Sequence, residues 1–312
     1  MINKFQASML AFAIGDALAA PIEGYEPSVV ENYVPLTEYI KAKASHPLHH
    51  LEAGQYSDET QMMLLMARSL TERGIFDVED LLTKFSDWYY SQRKRSEWRF
   101  PGDSLYQACK QIANGADSAL SGMNSAGVAP VMRTLPLILV YGRQPEVLGN
   151  YVRRSCALTH LDRRVGTVSM MLASVIEAGL SGAEFKPAVI MASVLEASKD
   201  TFAETDKKIK QIKAALASSH EDAAKDIRNT GYAIDSFTAA LYWFLKGKGD
   251  FDATIVGAAN GGGDCDAIAA LAGAMYGSWF GMEKISSKWL SNLEGREEIK
   301  ALANKLYRLA YP

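Results

Sequence analysis

Residues 260–277 read NGGGDCDAIAALAGAMYG. Three glycines run into two aspartates, Asp264 and Asp266, separated by Cys265. Alanine, glycine and serine then fill most positions of residues 267–281. Glycines allow unusual backbone dihedrals and close approach. Small side chains let a helix lie against its neighbours at short range. The stretch predicts a buried, central helix with two carboxylates at its start.

A similar arrangement precedes it in the chain. In YSDETQMMLLMARSL (residues 56–70), Ser57, Asp58, Glu59 and Thr60 open an apolar helix on which Met62, Met63, Met66 and Leu70 share a face. GDALAAPIEG (residues 15–24) contributes Asp16 and Glu23. Serine and aspartate are favoured N-caps, and acids in a first turn suit the helix macrodipole. One side chain suffices for a cap, however, and each of these starts carries two or three acids. Like charges gathered in a buried region are costly unless something positive binds there. Hard divalent cations such as Mg²⁺ and Mn²⁺ are the natural partners of carboxylate and hydroxyl oxygens.

Elsewhere helical signals dominate. DVEDLLTKFSDWYYSQRKR (residues 77–95) starts acidic and ends basic. SFTAALYWFLKG (residues 236–247) places Leu241, Phe244 and Leu245 on one face, with Gly247 and Gly249 at natural C-terminal positions. Residues 188–200 and 207–219 also predict helices. Alternating runs of β-branched residues are nearly absent, so the expected class is all-α, a single compact multi-helix domain over residues 1–312. Glycine and proline at 99–102, 122–130 and 142–145 mark inter-helix loops. A long loop is expected between the first two helices, over residues 23–59.

The chain has 312 residues, 48% of them apolar, enough for a sizeable core. A formal charge of −3 gives no global electrostatic reason for a nucleic-acid partner. Three scattered cysteines (Cys109, Cys156, Cys265) argue for reduced thiols in a cytoplasm. Asp16 interrupts the apolar N-terminal run, which is read as a first helix and not as a leader. No uninterrupted apolar stretch approaches the roughly 20 residues of a bilayer span, so no membrane association is expected. No pattern demands assembly, and a monomer is expected.

The ordered set of motifs resembles the ADP-ribosylglycohydrolase family. GDALAAPIEG, SDETQMML (57–64), GVAPVMRTLPL (127–137), LTHLD (158–162), GYAIDSFTAALYWFL (231–245) and GGDCDAIAALAGAMYG (262–277) are similar to its successive signatures. The resemblance implies an all-α fold with two divalent cations, Mg²⁺ or Mn²⁺, and hydrolysis of the bond linking ADP-ribose to a protein side chain, arginine first, or to a related conjugate. It implies Ser57, Asp58, Glu59, Asp264 and Asp266 as metal ligands and Glu23 as the catalytic group. Ser125, Gly127 and His160 are the implied ADP-ribose contacts. The alternative is a non-catalytic ADP-ribose-binding protein. Three departures keep it open: Glu59 where the family has Asp, Ala267 where it has a hydroxyl, and Val128–Ala129 where it has Asn-Gly. Residues 28–50 and the last thirty or so add little to the resemblance. His46, His49 and His50 lack a paired motif of zinc spacing, and Cys265, among acids, is unsuited to a thiolate role.

Overall fold

The structure, a computed structural model, describes residues 1–30, 36–117, 121–198, 201–218 and 227–312. Residues 31–35 of the expected long loop, and 199–200 and 219 at the ends of two expected helices, lie outside these. Sixteen α-helices occur among the described residues: α1 Ile2–Ala19, α2 Pro27–Val30, α3 Asp58–Arg73, α4 Val78–Gln92, α5 Asp103–Ala113, α6 Ala129–Met132, α7 Leu135–Tyr141, α8 Pro145–Ala157, α9 Arg163–Leu180, α10 Pro187–Ala197, α11 Phe202–Ala217, α12 Ala233–Gly247, α13 Phe251–Ala259, α14 Cys265–Phe280, α15 Ser287–Ser291 and α16 Arg296–Ala310. Two isolated β-bridges, and no strand, accompany them among the described residues. The fold is all-α.

Helices α1 and α14 form the centre. A helix apolar all round belongs inside a core, and nearly every residue of α14 from Cys265 to Trp279 is buried. The two run antiparallel at very short range. Gly15 faces the backbone of Ala269, Gly273 that of Ala11, and Gly277 that of Ala7. A β-carbon at Gly273 would fall well inside van der Waals distance of the Ala11 carbonyl. Gly273→Ala is therefore expected to cost roughly 1–3 kcal/mol, the usual range for overpacking. An unchanged denaturation midpoint in this variant would show that the contact is looser than described.

The remaining helices wrap this pair. α12 and α13 pack on α14, α16 packs on α1, α3 and α7, and α9 packs on α14 and α12. The indole of Trp279 donates to Val175 O at 2.9 Å, fixing α14 to α9. Local signals place the ends as their chemistry dictates. Asp77 caps α4 through Asp80 N, and Gly74, at φ 75°, closes α3. One end differs from expectation: the left-handed residue after α12 is Lys248, at φ 49°, with Gly249 following at φ 84°.

The N-terminal run forms the first helix, as expected. Residues Ile2–Ile22 are helical, and by length and composition they are long and apolar enough to cross a membrane, with mean hydropathy 1.4. In this fold 94% of that window is buried inside the protein, which is what a central helix requires.

Candidate active site

The start of α3 shows which acids cap and which do not. Ser57 is the N-cap, its Oγ accepting from Glu59 N at 3.3 Å. The free N–H groups of Ser57 and Thr60 donate instead to Asp16 on α1, each at 2.8 Å, and the Thr60 hydroxyl adds a third bond at 2.6 Å. Asp16 is fully buried. With Ser57 and Asp16 satisfying this helix end, the side chains of Asp58 and Glu59 are not needed for it. At the start of α14, Asp264 holds the N-cap position but makes no side-chain cap bond. Its carboxylate accepts instead from Ser236 Oγ at 3.4 Å.

The glycine loop sets Asp264 in place. Gly262 and Gly263 adopt φ 68° and 63°, a left-handed conformation that β-carbons disfavour. Gly24 N donates to Gly263 O and Gly263 N to Tyr25 O, both at 2.8 Å. This clasp lays Glu23 beside the aspartates. One carboxylate oxygen from each of Glu23, Asp264 and Asp266 lies within 4.8 Å of the other two.

Asp58 and Glu59 complete the cluster from α3. Burial pushes the Glu23 carboxyl well above the usual range, and Asp266, Asp58, Asp264 and Glu59 push it further. Asp58 is raised by burial, then by Asp266, Asp16 and Asp264. Glu59 is raised by burial, then by Asp58, Asp266 and Asp264. Burial lifts Asp264 to about 6, and burial with Asp264 and Asp16 lifts Asp266 to about 8. Glu23 Oε2, Glu59 Oε2 and Asp266 Oδ1 are buried without a hydrogen-bond partner, and none of these five acids forms a salt bridge among the described residues. Oxygen donors in this number, unneutralised and out of water, fit divalent cations.

A second wall adjoins Asp264. Gly231 borders the Asp264 carboxylate, and Val128 N donates to Gly231 O at 2.9 Å. Gly127 pairs with Tyr232 as an antiparallel bridge, while Met123 pairs with His160. Gly127 N donates to Ser125 Oγ at 3.2 Å, and a β-carbon on Gly127 would stand 3.2 Å from His160 Nε2. Ser125, Gly127 and His160 therefore share one surface, continuous through residues 231–232 with the acid cluster.

A sequence profile described as ADP-ribosylglycohydrolase matches residues 1–312. The chain belongs to the ADP-ribosylglycohydrolase family. It is 26% identical over 354 residues to ADP-ribosylhydrolase ARH3 of Xenopus tropicalis, spanning 99% of this chain and 96% of that one. It is 25% identical over 315 residues to ADP-ribosyl-[dinitrogen reductase] glycohydrolase of Rhodospirillum rubrum, spanning 99% and 97%. A solved ADP-ribosylglycohydrolase-related protein complex superposes with a TM-score of 0.79 at 28% identity, covering 99% of this chain and 98% of that one. This ADP-ribosylglycohydrolase is accordingly a hydrolase of ADP-ribosyl glycosidic bonds, from a family with a dinuclear metal site.

Several residues that hold the glycohydrolase site are not evident from the motifs alone. Asp16 was visible as an acid inside an apolar helix, a signal of buried hydrogen bonding. His46 accepts from Leu48 N on Nδ1 (3.1 Å), so its Nε2 carries the proton and donates to Glu23 O at 3.0 Å. His50 bonds Trp98 O and His49 bonds His46 O, so the three histidines serve the backbone. Arg99, buried, forms a two-pronged ion pair with Glu294 and donates to Tyr56 O, while its own carbonyl receives Asp58 N at 3.2 Å. The C-terminal segment thus braces the chain leading into Ser57, although it carries no family motif. Cys265 donates to Ala19 O at 3.7 Å, and its thiol is pushed well up by burial and the neighbouring acids. All three cysteines are free and buried.

Proposed function

We propose that Ser57, Asp58, Glu59, Asp264 and Asp266 hold two divalent cations, Mg²⁺ or Mn²⁺, and that the enzyme releases ADP-ribose from modified arginine. The observation that carries the reading is the set of buried, unpartnered carboxylate oxygens on Glu23, Glu59 and Asp266, with no cationic side chain paired to them among the described residues. When bound, the ions supply Lewis acidity at the ribose and lower the pKa of bound water.

The protein's own groups handle orientation and protons. Glu23 lies on a loop with an unpartnered Oε2 at the edge of the cluster, and we assign it the proton transfers. Water oxygen bonds to the anomeric carbon of the ribose, and its proton passes to Glu23. The bond to the guanidinium nitrogen breaks with its electrons going to nitrogen, which takes back one proton as free arginine re-forms its cation. The surrounding carboxylates oppose the positive charge that develops on the ribose. Ser125 and Gly127, on the loop 124–130, cradle the phosphates of ADP-ribose, and His160 contacts its distal part. A cluster of carboxylates suits a guanidinium leaving group. Three buried, unpaired thiols support a reducing, cytoplasmic setting.

The test is release of ADP-ribose from arginine-, serine- and nucleic-acid-linked substrates, with and without chelator. Arginine-linked substrate is expected to turn over fastest, and chelation to stop it. Tight ADP-ribose binding without turnover of any substrate would favour the binding-only alternative, for which Ala267, fully buried and lacking an oxygen, is the supporting feature. Turnover insensitive to chelator would overturn the metal assignment.

A further inference from the structure

Behind His160 lies a guanidinium that the reaction does not use. Arg133, in the turn between α6 and α7, is fully buried. Its Nη2 donates to Ser155 O and to Thr159 Oγ1, both at 2.7 Å, and its Nε donates to Ser155 Oγ at 3.1 Å. The ring of Phe85 lies under it, 5.2 Å from centroid to Cζ. No carboxylate is ion-paired with it among the described residues.

We propose that Arg133 and Thr159 are positioning residues that lock His160 in the tautomer with its proton on Nε2, presenting one neutral N–H donor to ADP-ribose. This rests on the reading that the surface formed by Ser125, Gly127 and His160 binds that ligand. A guanidinium has five donors and no acceptor, so Thr159 Oγ1 accepts from Arg133. Thr159 is fully buried, away from bulk solvent. Among the described residues its own proton has one acceptor within hydrogen-bond reach, His160 Nδ1 at 3.0 Å. A proton on Nδ1 would strand the hydroxyl proton without a partner, and buried unsatisfied groups are strongly disfavoured. The doubly protonated ring is excluded separately: burial and the nearby Arg133 charge depress the imidazole to about 3.

With Nδ1 committed, Nε2 carries the hydrogen beside Gly127, where the absent side chain leaves room for this edge of the ring. The ring is also held in register with the loop. Met123 N donates to Thr159 O and Leu161 N to Met123 O, both at 2.9 Å. Phosphate and ribose-ring oxygens are acceptors. The locked tautomer meets them with a donor, and the other would meet them with a lone pair.

The tautomer is read directly from imidazole nitrogen–proton correlation spectra of the ligand-free, metal-free protein, with His160→Gln assigning the signal. The expected result is a single Nε2–H form in the wild type and in Thr159→Ser, and a population of the Nδ1–H form in Thr159→Val. Calorimetry with ADP-ribose on the metal-loaded protein should show binding weakened roughly tenfold in Thr159→Val and restored in Thr159→Ser, the scale expected for losing a group that orients a ligand contact. An Nδ1–H form in the wild type, or a Thr159→Val spectrum identical to it, overturns the lock whatever the enzyme's substrate. A shifted tautomer with unchanged ADP-ribose affinity overturns the donor's role and the placement of His160 at the ligand, while leaving the metal-site reading untouched.

Discussion

Asp266→Asn is expected to lower ADP-ribose release roughly a thousandfold or more, and at the same time to make the metal-free protein more stable at pH 8. The loss of activity follows from removing a central anionic oxygen donor, since deleting even one preorganised hydrogen-bond donor at a reacting centre costs about 10²–10³ in turnover. The gain in stability follows from the crowding. Asp264 and Asp266 titrate at about 6 and about 8 in the fold, against about 3.9 for an unfolded aspartate. Between these limits the native state holds more protons than the unfolded state, so stability falls as pH rises. The contribution of these groups is fully present below about pH 4, declines through 6 and is lost beyond 8. Asparagine at 266 cannot ionise and removes its share of that decline. Divalent cations oppose the same decline by neutralising the carboxylates, and must displace protons to do so. Thermal unfolding of chelated protein at pH 5 and pH 8, with and without Mn²⁺, checks both halves. The wild type should lose stability between the two pH values and regain it with metal chiefly at pH 8. An equally steep decline in Asp266→Asn would remove like-charge crowding as the explanation.

The acids and the helices were legible in the sequence for the same reason: both are local patterns. Small residues from 267 onward announced a helix buried all round, and α14 lies at the centre. The surplus of acids at two helix starts separated them from ordinary caps, and in the structure Ser57 caps while Asp264 does not. What holds those acids in place was not legible, because each support joins residues distant in sequence. Arg99 with Glu294, His46 with Glu23 O, and Asn229 Nδ2 donating to Gly261 O at 2.7 Å are of this kind. No periodicity encodes them. Lys248 shows the converse limit. Glycines on either side suggested the left-handed position, and the chain placed it one residue away, where a lysine accepts a conformation that glycine takes more easily. The N-terminal run is legible as a first helix, but the role of Asp16 inside it is not, because its partners lie on α3. In the fold that aspartate is buried and fully hydrogen-bonded, so its charge does not interrupt the helix's burial.

Asp16 is also where fold and chemistry are tied most closely, and its removal is expected to damage both. It lies on α1, one residue from the Gly15 contact with α14, and its carboxylate receives three donors from the start of α3. One side chain thus couples the helix bearing Asp58 and Glu59 to the helix bearing Asp266. Burial raises its pKa, while the bonds from Thr60 and Ser57 pull the other way, so the carboxylate depends on those donors as much as they depend on it. Asp16→Ala strands two backbone N–H groups and a hydroxyl in a fully buried site. At about 1–3 kcal/mol for each of these three unsatisfied groups, the loss is expected to reach roughly 3–9 kcal/mol, enough to unfold a large share of a marginally stable protein. Asp16→Asn gives the sharper test because its shape is conserved. The amide oxygen can still serve Thr60, but the amide nitrogen then faces Ser57 N, donor against donor. This variant should fold with reduced stability and bind Mn²⁺ roughly 10–100-fold more weakly, the range seen when groups orienting metal ligands are lost. Thermal unfolding in chelator establishes that it is folded, and titration calorimetry with Mn²⁺ reads the affinity. Wild-type affinity in a folded Asp16→Asn would mean that Ser57, Asp58 and Glu59 are positioned without Asp16, and that the two acid-bearing helix starts are independent of one another.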